Sequence, residues 1–180
     1  MVMERQLKFE DIRPDLEKYL NEINKNRHPL VFILDNLINK RNIAGIFRLA
    51  DAARIAHVYL YQSSTPSDSF KVKRISRSTS EFIPHTYLSK IGDLRVLQDD
   101  YRFVGLEMTT QSIPYYRFKS KEPIALLIGN EQRGLSQELL DLCERCLHIP
   151  MMGRNTSMNV SMATGIVTYG ILNKMGRLPK

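Results

Sequence analysis

The chain has 180 residues, of which 43% are hydrophobic and 25% are charged. This length and composition are typical of one globular domain with its own core, and they exclude a disordered, fibrous or disulfide-rich protein. The formal net charge is +7, so a polyanion such as RNA is a natural partner, although charge alone leaves nucleic-acid binding open.

No apolar stretch is long enough to cross a bilayer, and the first residues, MVMERQLKFEDIR, lack the apolar segment of a secretory signal. We therefore expect a cytoplasmic protein that does not bind a membrane. The two cysteines, Cys143 and Cys146, supply only half the ligands of a structural zinc site. Because they follow a predicted helix instead of starting one, we expect two packing thiols and no metal.

Residues 1–28 predict an amphipathic helix, since apolar residues from Leu16 to Ile23 recur at helical spacing. This N-terminal extension would either pack on the main domain or contact RNA. We expect residues 29–180 to form that single domain.

Buried strands and a helix alternate in the first part of the domain. Residues 30–34 (LVFIL) and 57–61 (HVYLY) read as strands, and the segment after Asn42 (IAGIFRLADAARIA) reads as a helix between them. A strand–helix–strand order predicts a parallel sheet with a right-handed crossover.

Residues 62–81 predict a long polar loop rich in serine, threonine and basic residues. This loop either contacts a phosphate backbone or is an ordinary solvated loop. The segment 82–123 is less informative, with strand-like HTYL and FVGLE and a helical IGDLRVLQDD between them.

Residues 124–174 read as strand, polar loop, helix, strand, second polar loop and helix. Both loops follow the carboxyl ends of strands, where open α/β sheets bind ligands. The first loop, GNEQRGLS, has no lysine before its serine, which excludes a nucleotide-triphosphate loop. Gly129 would let a ligand approach the backbone, and Ser136 is a predicted helix N-cap.

The second loop, residues 151–161, precedes a helix that we expect to begin near Met158. Thr156 or Ser157 would cap it. Capping explains Asn159 and Ser161 less easily, because both are poor helix formers in a first turn. Polar groups at a helix N-terminus beside a strand end favour a site for a polar ligand.

Three segments together resemble the motifs of the SpoU (TrmH-type) branch of the SPOUT RNA ribose methyltransferases. The first is NIAGIFR at residues 42–48, and the second is LIGNE at 127–131 with GLS at 134–136. The third is IPM at 149–151 followed by SMNVS at 157–161. The motifs occur in the family's order, and the resemblance spans about residues 30–174.

This resemblance implies an α/β domain of three layers with a parallel sheet and a C-terminal deep trefoil knot. It implies a homodimer that binds S-adenosylmethionine in the knot, with the active site at the dimer interface, and methylates a ribose 2′-hydroxyl. The compact layout resembles members that methylate a guanosine in the tRNA D-loop. The alternatives are a ribosomal RNA ribose methyltransferase and a non-catalytic RNA-binding ribosome-assembly factor.

The resemblance also implies roles for individual residues. Arg48 would act on the ribose hydroxyl as a base or as a positioning group, whereas in isolation it could simply pair with Asp51. The other implied catalytic residues are Asn42, Glu131, Ser157 and Asn159. The implied cofactor-binding residues are Leu127, Ile128, Gly129, Asn130, Glu131, Gly134, Ile149, Met151, Ser157, Met158 and Asn159. The expected RNA contacts are Arg41, Lys71, Lys73, Arg74 and Arg77.

Overall fold

A computed structural model describes residues 5–12, 15–63, 69–77 and 79–179. The strands are β1 (His28–Asp35), β2 (Ile55–Tyr61), β3 (His85–Leu88), β4 (Arg102–Leu106), β5 (Ile113–Pro114), β6 (Ile124–Ile128) and β7 (Arg145–His148). They form one parallel sheet in the order β3-β2-β1-β6-β4-β7-β5. The predicted parallel α/β class is therefore confirmed.

The helices are α1 (Phe9–Ile12), α2 (Leu16–Lys25), α3 (Lys40–Ala52), α4 (Phe70–Ser76), α5 (Thr79–Phe82), α6 (Ile91–Val96), α7 (Gln137–Leu140) and α8 (Val160–Lys174). Two short 3-10 segments, Leu97–Asp99 and Tyr115–Arg117, complete the described elements.

Strand β1 lies at the centre of the fold, between β2 and β6. Alternate residues point to opposite faces of a strand. Phe32 accordingly belongs to the core cluster on one face, and Val31 and Ile33 belong to the cluster on the other. Since both faces are covered, the strand can be apolar throughout, which is why its sequence is a continuous apolar run.

Helix α3 connects β1 to β2 and packs on one face of the sheet, as predicted. Its buried side includes Ile43, Phe47 and Ala50, and α8 packs beside it on the same core. Arg48 lies off this apolar stripe and is exposed. The N-terminus of α3 is thereby held at the carboxyl edge of the sheet.

The prediction of one helix in residues 1–28 and of a loop over 62–81 needs correction. The N-terminal segment contains the separate helices α1 and α2, with residues 13 and 14 outside the described ranges. The expected loop contains α4 and α5, while residues 64–68 and 78 lie outside the description. Helix α4 forms because Ser69 caps it and Val72 is buried against the core.

The strands at HTYL and FVGLE are confirmed as β3 and β4. In the C-terminal third, α7 covers only four residues and is shorter than predicted. Helix α8 begins at Val160, two residues later than expected. Strand β5 was not anticipated, because a two-residue strand carries no periodic signal.

Among the residues that the structure describes, no helix is both long and apolar enough to span a membrane. The same part of the chain contains no cluster of three or more side chains suited to hold a metal ion. Cys143 and Cys146 are not bridged to each other.

Candidate active site

A cavity of about 530 Å³ lies at the carboxyl edge of the sheet, between the ends of β4, β6 and β7 and the N-termini of α3 and α8. Its volume is in the range of small-molecule sites. Nine residues that the sequence resemblance assigned to the cofactor line it: Gly129, Asn130, Glu131, Gly134, Ile149, Met151, Ser157, Met158 and Asn159. Leu127 and Ile128 do not line it, because their side chains are buried in the core on the two faces of β6.

The loop after β6 is closed into a tight ring by backbone hydrogen bonds. The Asn130 N–H donates to the Gly134 carbonyl at 3.0 Å, and the Gly134 N–H donates to the Asn130 carbonyl at 2.9 Å. The Asn130 side chain donates to the Asn36 carbonyl at 2.7 Å and accepts from the Gln132 N–H at 3.0 Å. The loop therefore has a fixed shape beside the cavity.

Two glycines make this ring possible. A Cβ on Gly129 would collide with the backbone of Gly134 and Leu135. Gly134 has a φ of +70°, and a Cβ there would collide with the carboxylate of Glu107. A larger residue at position 129 would force the loop to change its path, and one at position 134 would be strained by the positive φ and would displace the Glu107 carboxylate.

One chain of side-chain hydrogen bonds connects all three motifs. The Glu131 carboxylate accepts from Asn42 Nδ2 at 3.0 Å and from the Asn39 N–H at 3.1 Å. Asn42 Oδ1 in turn accepts from Asn159 Nδ2 at 2.9 Å. Asn42 is 6% exposed, so the chain is well shielded from water at its centre. It joins the loop after β6 to the N-termini of α3 and α8.

The predicted cap of the last helix was wrong. Asn159, and not Thr156 or Ser157, is the N-cap of α8, and its Oδ1 accepts from the N–H groups of Ser161 and Met162. Ser161 Oγ also donates to this oxygen at 2.6 Å. Asn159, which capping had explained less easily, is therefore the cap itself, and Ser161 bonds to it, while exposed Ser157 remains a cavity residue.

Ser136 holds the N-cap position of α7, but its side chain makes no capping hydrogen bond. Its N–H instead donates to Asp35 Oδ2 at 2.7 Å. Nearby, burial and a hydrogen bond to Glu138 raise the pKa of Tyr61 to about 12. The Tyr61 hydroxyl donates to Glu138 Oε1 at 2.8 Å, which ties α7 to the end of β2.

Glu107 is a site residue that the sequence analysis missed. It follows β4, and its carboxylate accepts from the Leu135 N–H at 3.0 Å and the Met108 N–H at 2.9 Å. It thus holds the end of the loop after β6 against the cavity wall. Its position in the sequence could have predicted this role, because a polar residue directly after a parallel strand lies at the ligand-binding edge of the sheet.

Arg48 does not line the cavity. It lies six residues after Asn42 on α3, about 9 Å further along the helix axis. The alternative of a pair with Asp51 is not observed, and within the described part of the chain the Arg48 guanidinium forms no salt bridge. Its exposed charge is therefore available to a ligand outside the cavity.

The expected RNA contacts lie on a helix and not on a loop. Lys71, Arg74 and Arg77 are exposed on α4 and its C-cap, and α4 packs against α3. Lys73 is engaged with Glu81 at 2.9 Å. Arg41 is exposed in the first turn of α3. The cations thus lie on adjacent helices that share a packing contact.

Comparison with known proteins identifies a family that matches most of this chain. The model of the SpoU rRNA Methylase family matches residues 29–169. The tRNA (guanosine(18)-2'-O)-methyltransferase of Aquifex aeolicus is 26% identical over 159 residues, which cover 86% of this chain and 74% of that protein. The 23S rRNA (guanosine-2'-O-)-methyltransferase RlmB of Haemophilus influenzae is 29% identical over 163 residues, covering 88% of this chain and 65% of that protein.

A solved structure agrees with the fold. The AdoMet-bound rRNA methyltransferase from Sinorhizobium meliloti is 27% identical and superposes with a TM-score of 0.76. The match covers 86% of this chain and 59% of that one. The chain thus spans less than two thirds of the length of these two rRNA-related proteins and about three quarters of the Aquifex protein.

Proposed function

The chain belongs to the SpoU rRNA Methylase family of RNA methyltransferases, and from this premise we propose that it methylates a ribose 2′-hydroxyl of RNA with S-adenosylmethionine. The observation that carries the proposal is the hydrogen-bonded chain from Glu131 through Asn42 to Asn159. It brings all three family motifs to one cavity. A protein that had kept only the fold would not need polar side chains paired in this way at a ligand-binding edge.

The residues around the cavity fit S-adenosylmethionine. The volume of about 530 Å³ suits a ligand of this size, and the tight ring that Gly129 and Gly134 permit gives one wall of the cavity a fixed shape. Residues of the second and third motifs, Asn130, Met151 and Met158 among them, would hold the cofactor. When bound, it supplies an electrophilic methyl group on a sulfonium. We also propose that this part of the chain forms the family's trefoil knot.

Arg48 would bind the RNA and not the cofactor. Because a guanidinium stays protonated in proteins, we assign it the role of a hydrogen-bond donor that positions the ribose hydroxyl and a neighbouring phosphate. Its exposure and lack of a salt bridge among the described residues support this role. Glu131, Asn42 and Asn159 would keep α3, and thereby Arg48, fixed relative to the cavity.

We propose that the enzyme is a homodimer whose active site lies at the dimer interface. Helix α8 exposes a stripe of large apolar side chains at helical spacing: Met162 at 63%, Ile166 at 38% and Tyr169 at 42%. A second copy would cover this stripe. Ile166→Asp should lower the mass measured by analytical ultracentrifugation, whereas Val96→Asp, at an exposed position on α6, should not. A monomeric wild type would refute the dimer.

We propose tRNA, in the cytoplasm, as the substrate, with a D-loop guanosine as the expected site. This preference is supported by the similarity to the Aquifex aeolicus protein, which is named a tRNA (guanosine(18)-2'-O)-methyltransferase. The relatives named as 23S rRNA methyltransferases make ribosomal RNA the second candidate.

The deciding experiment is mass-spectrometric mapping of ribose methylation in total RNA from cells that lack the gene. We expect one tRNA 2′-O-methyl mark to disappear and to return when the wild-type gene, but not the Arg48→Ala gene, is restored. Loss of a ribosomal RNA mark would establish the second candidate. If no mark changes and the purified chain binds RNA without methylating it, the protein is a binding factor and the proposed activity is refuted.

A further inference from the structure

The two cysteines lie against one glycine of the neighbouring strand. Cys146 pairs in register with Gly105 of β4, and Cys143 lies in the turn that leads into β7. A Cβ on Gly105 would approach the Cys146 sulfur to 2.9 Å and the Cys143 sulfur to 3.1 Å. The missing side chain at residue 105 therefore leaves a space that both sulfurs and the Leu135 side chain border.

The thiol pair is accessible from a second cavity of about 340 Å³. Polar groups of Thr109, Gln111 and Arg145 line this cavity together with both cysteines, and it shares no lining residue with the candidate active site. Packing thiols of the ordinary kind are enclosed by apolar side chains. Cys143 also packs against the core cluster that contains Leu135 and Leu139, but both cysteines line a pocket that could admit a small polar molecule.

The environments of the two thiols differ. The Cys143 thiol donates to the Leu139 carbonyl at 3.2 Å. The neighbouring Cys143 thiol lowers the pKa of Cys146 to about 7, with further support from Thr109 and the positive charge of Arg145, against the opposing effects of burial and Glu107. The closeness of Cys146, with burial, raises the pKa of Cys143. Cys143, whose thiol already has an acceptor in the Leu139 carbonyl, therefore holds its proton more tightly than Cys146 does, as in attacking and resolving pairs.

We propose that Cys143 and Cys146 form a thiol–disulfide exchange site that reacts with small disulfides such as oxidised glutathione. The Cys146 thiolate attacks one sulfur of the small disulfide, breaks its S–S bond and releases one thiolate. The Cys143 thiol loses its proton to solvent and attacks the Cys146 sulfur of the mixed disulfide, which releases the second thiolate. Two protein thiols are oxidised to one disulfide, and the small disulfide is reduced to two thiols.

Mass spectrometry of the full-length chain after incubation with oxidised glutathione tests this site. Wild type should lose two hydrogens and carry no adduct, because Cys143 resolves the mixed disulfide. Cys143→Ser should keep a glutathione adduct on Cys146, and Cys146→Ser should react much more slowly. Unreacted wild type, or equal adduct formation on the two variants, would overturn the proposal.

Two control measurements accompany this test, one of the folding of the variants and one of the pH dependence of Cys146 alkylation. Circular dichroism melting verifies that both serine variants are folded. Peptide mapping of iodoacetamide alkylation in the wild type should give a Cys146 rate that rises to half its maximum near pH 7. A midpoint at the pH of an ordinary thiol, above about 8, would contradict the attacking role. None of these readouts depends on methylation, so the failure of either proposal leaves the other standing.

Discussion

Asn42 and Asn159 are 117 residues apart in the chain, yet their side chains are joined by a hydrogen bond of 2.9 Å. Each amide also makes a second contact, since Asn42 Nδ2 donates to Glu131 and Asn159 Oδ1 caps α8. Both ends of each side chain are therefore engaged. The bond fixes the start of the last helix against the start of α3, which sets the width of the cavity between them.

Replacing Asn159 with alanine should reduce stability and cofactor binding together. The change removes the N-cap of α8, which costs about 1 kcal/mol, and leaves Asn42 Oδ1 without its donor. Urea denaturation would measure the first effect and calorimetric titration with S-adenosylmethionine the second. Asn155→Ala, at an exposed position in the same loop, is the matched control and should change neither quantity.

A double-mutant cycle separates the contribution of the Asn42–Asn159 hydrogen bond to stability from that of the N-cap of α8. If the Asn42–Asn159 bond contributes by itself, then Asn42→Ala and Asn159→Ala should be non-additive, with a coupling of about 0.5 kcal/mol or more. Additive losses would show that the two residues act independently and would remove the proposed link between the motifs.

Gly129→Ala should abolish cofactor binding, because the added Cβ would collide with the backbone of Gly134 and Leu135 and open the loop. Gly153→Ala is a suitable control, since its Cβ would meet nothing within 4 Å in the other loop of the site. Calorimetric titration with S-adenosylmethionine measures both variants. Wild-type affinity in a folded Gly129→Ala protein would show that the ring after β6 does not shape the cofactor site.

Arg48→Ala should lower the methyl-transfer rate by about a hundredfold or more while leaving cofactor affinity unchanged. The reason is that Arg48 is exposed and lies outside the cavity, so its loss affects the positioning of the RNA and not the binding of the cofactor. Radiolabelled methyl transfer to tRNA, compared with calorimetric titration, separates the two effects. Arg95→Ala removes another exposed arginine, from α6, and should retain full activity. Equal rates for the two variants would exclude Arg48 from the reaction.

The sheet could be predicted from the sequence because buried parallel strands such as β1 and β6 leave uninterrupted apolar runs. The motif loops could be placed because they directly follow such strands. Helix α4 was missed because its serines and cations hide a short apolar stripe that packs on α3 only in the folded chain. Glu107 was missed because its partner Leu135 is distant in sequence, and propensity describes only neighbours. The Asn159 cap was misplaced because Thr156, Ser157 and Asn159 are all good capping residues within four positions.

The cations of α4 should determine how RNA binding depends on salt. Lys71→Ala/Arg77→Ala removes two exposed charges beside α3 and should reduce the slope of log affinity against log salt by about 1 to 2, one counterion for each lost phosphate contact. Fluorescence anisotropy with labelled tRNA measures this slope. The double variant Arg95→Ala/Lys121→Ala lowers the net charge by the same amount. Lys121 precedes β6 and therefore lies at the amino edge of the sheet, so the salt slope of this variant should match that of the wild type. If both double variants lower the slope by the same amount, RNA senses only the total charge, and α4 is not its binding surface.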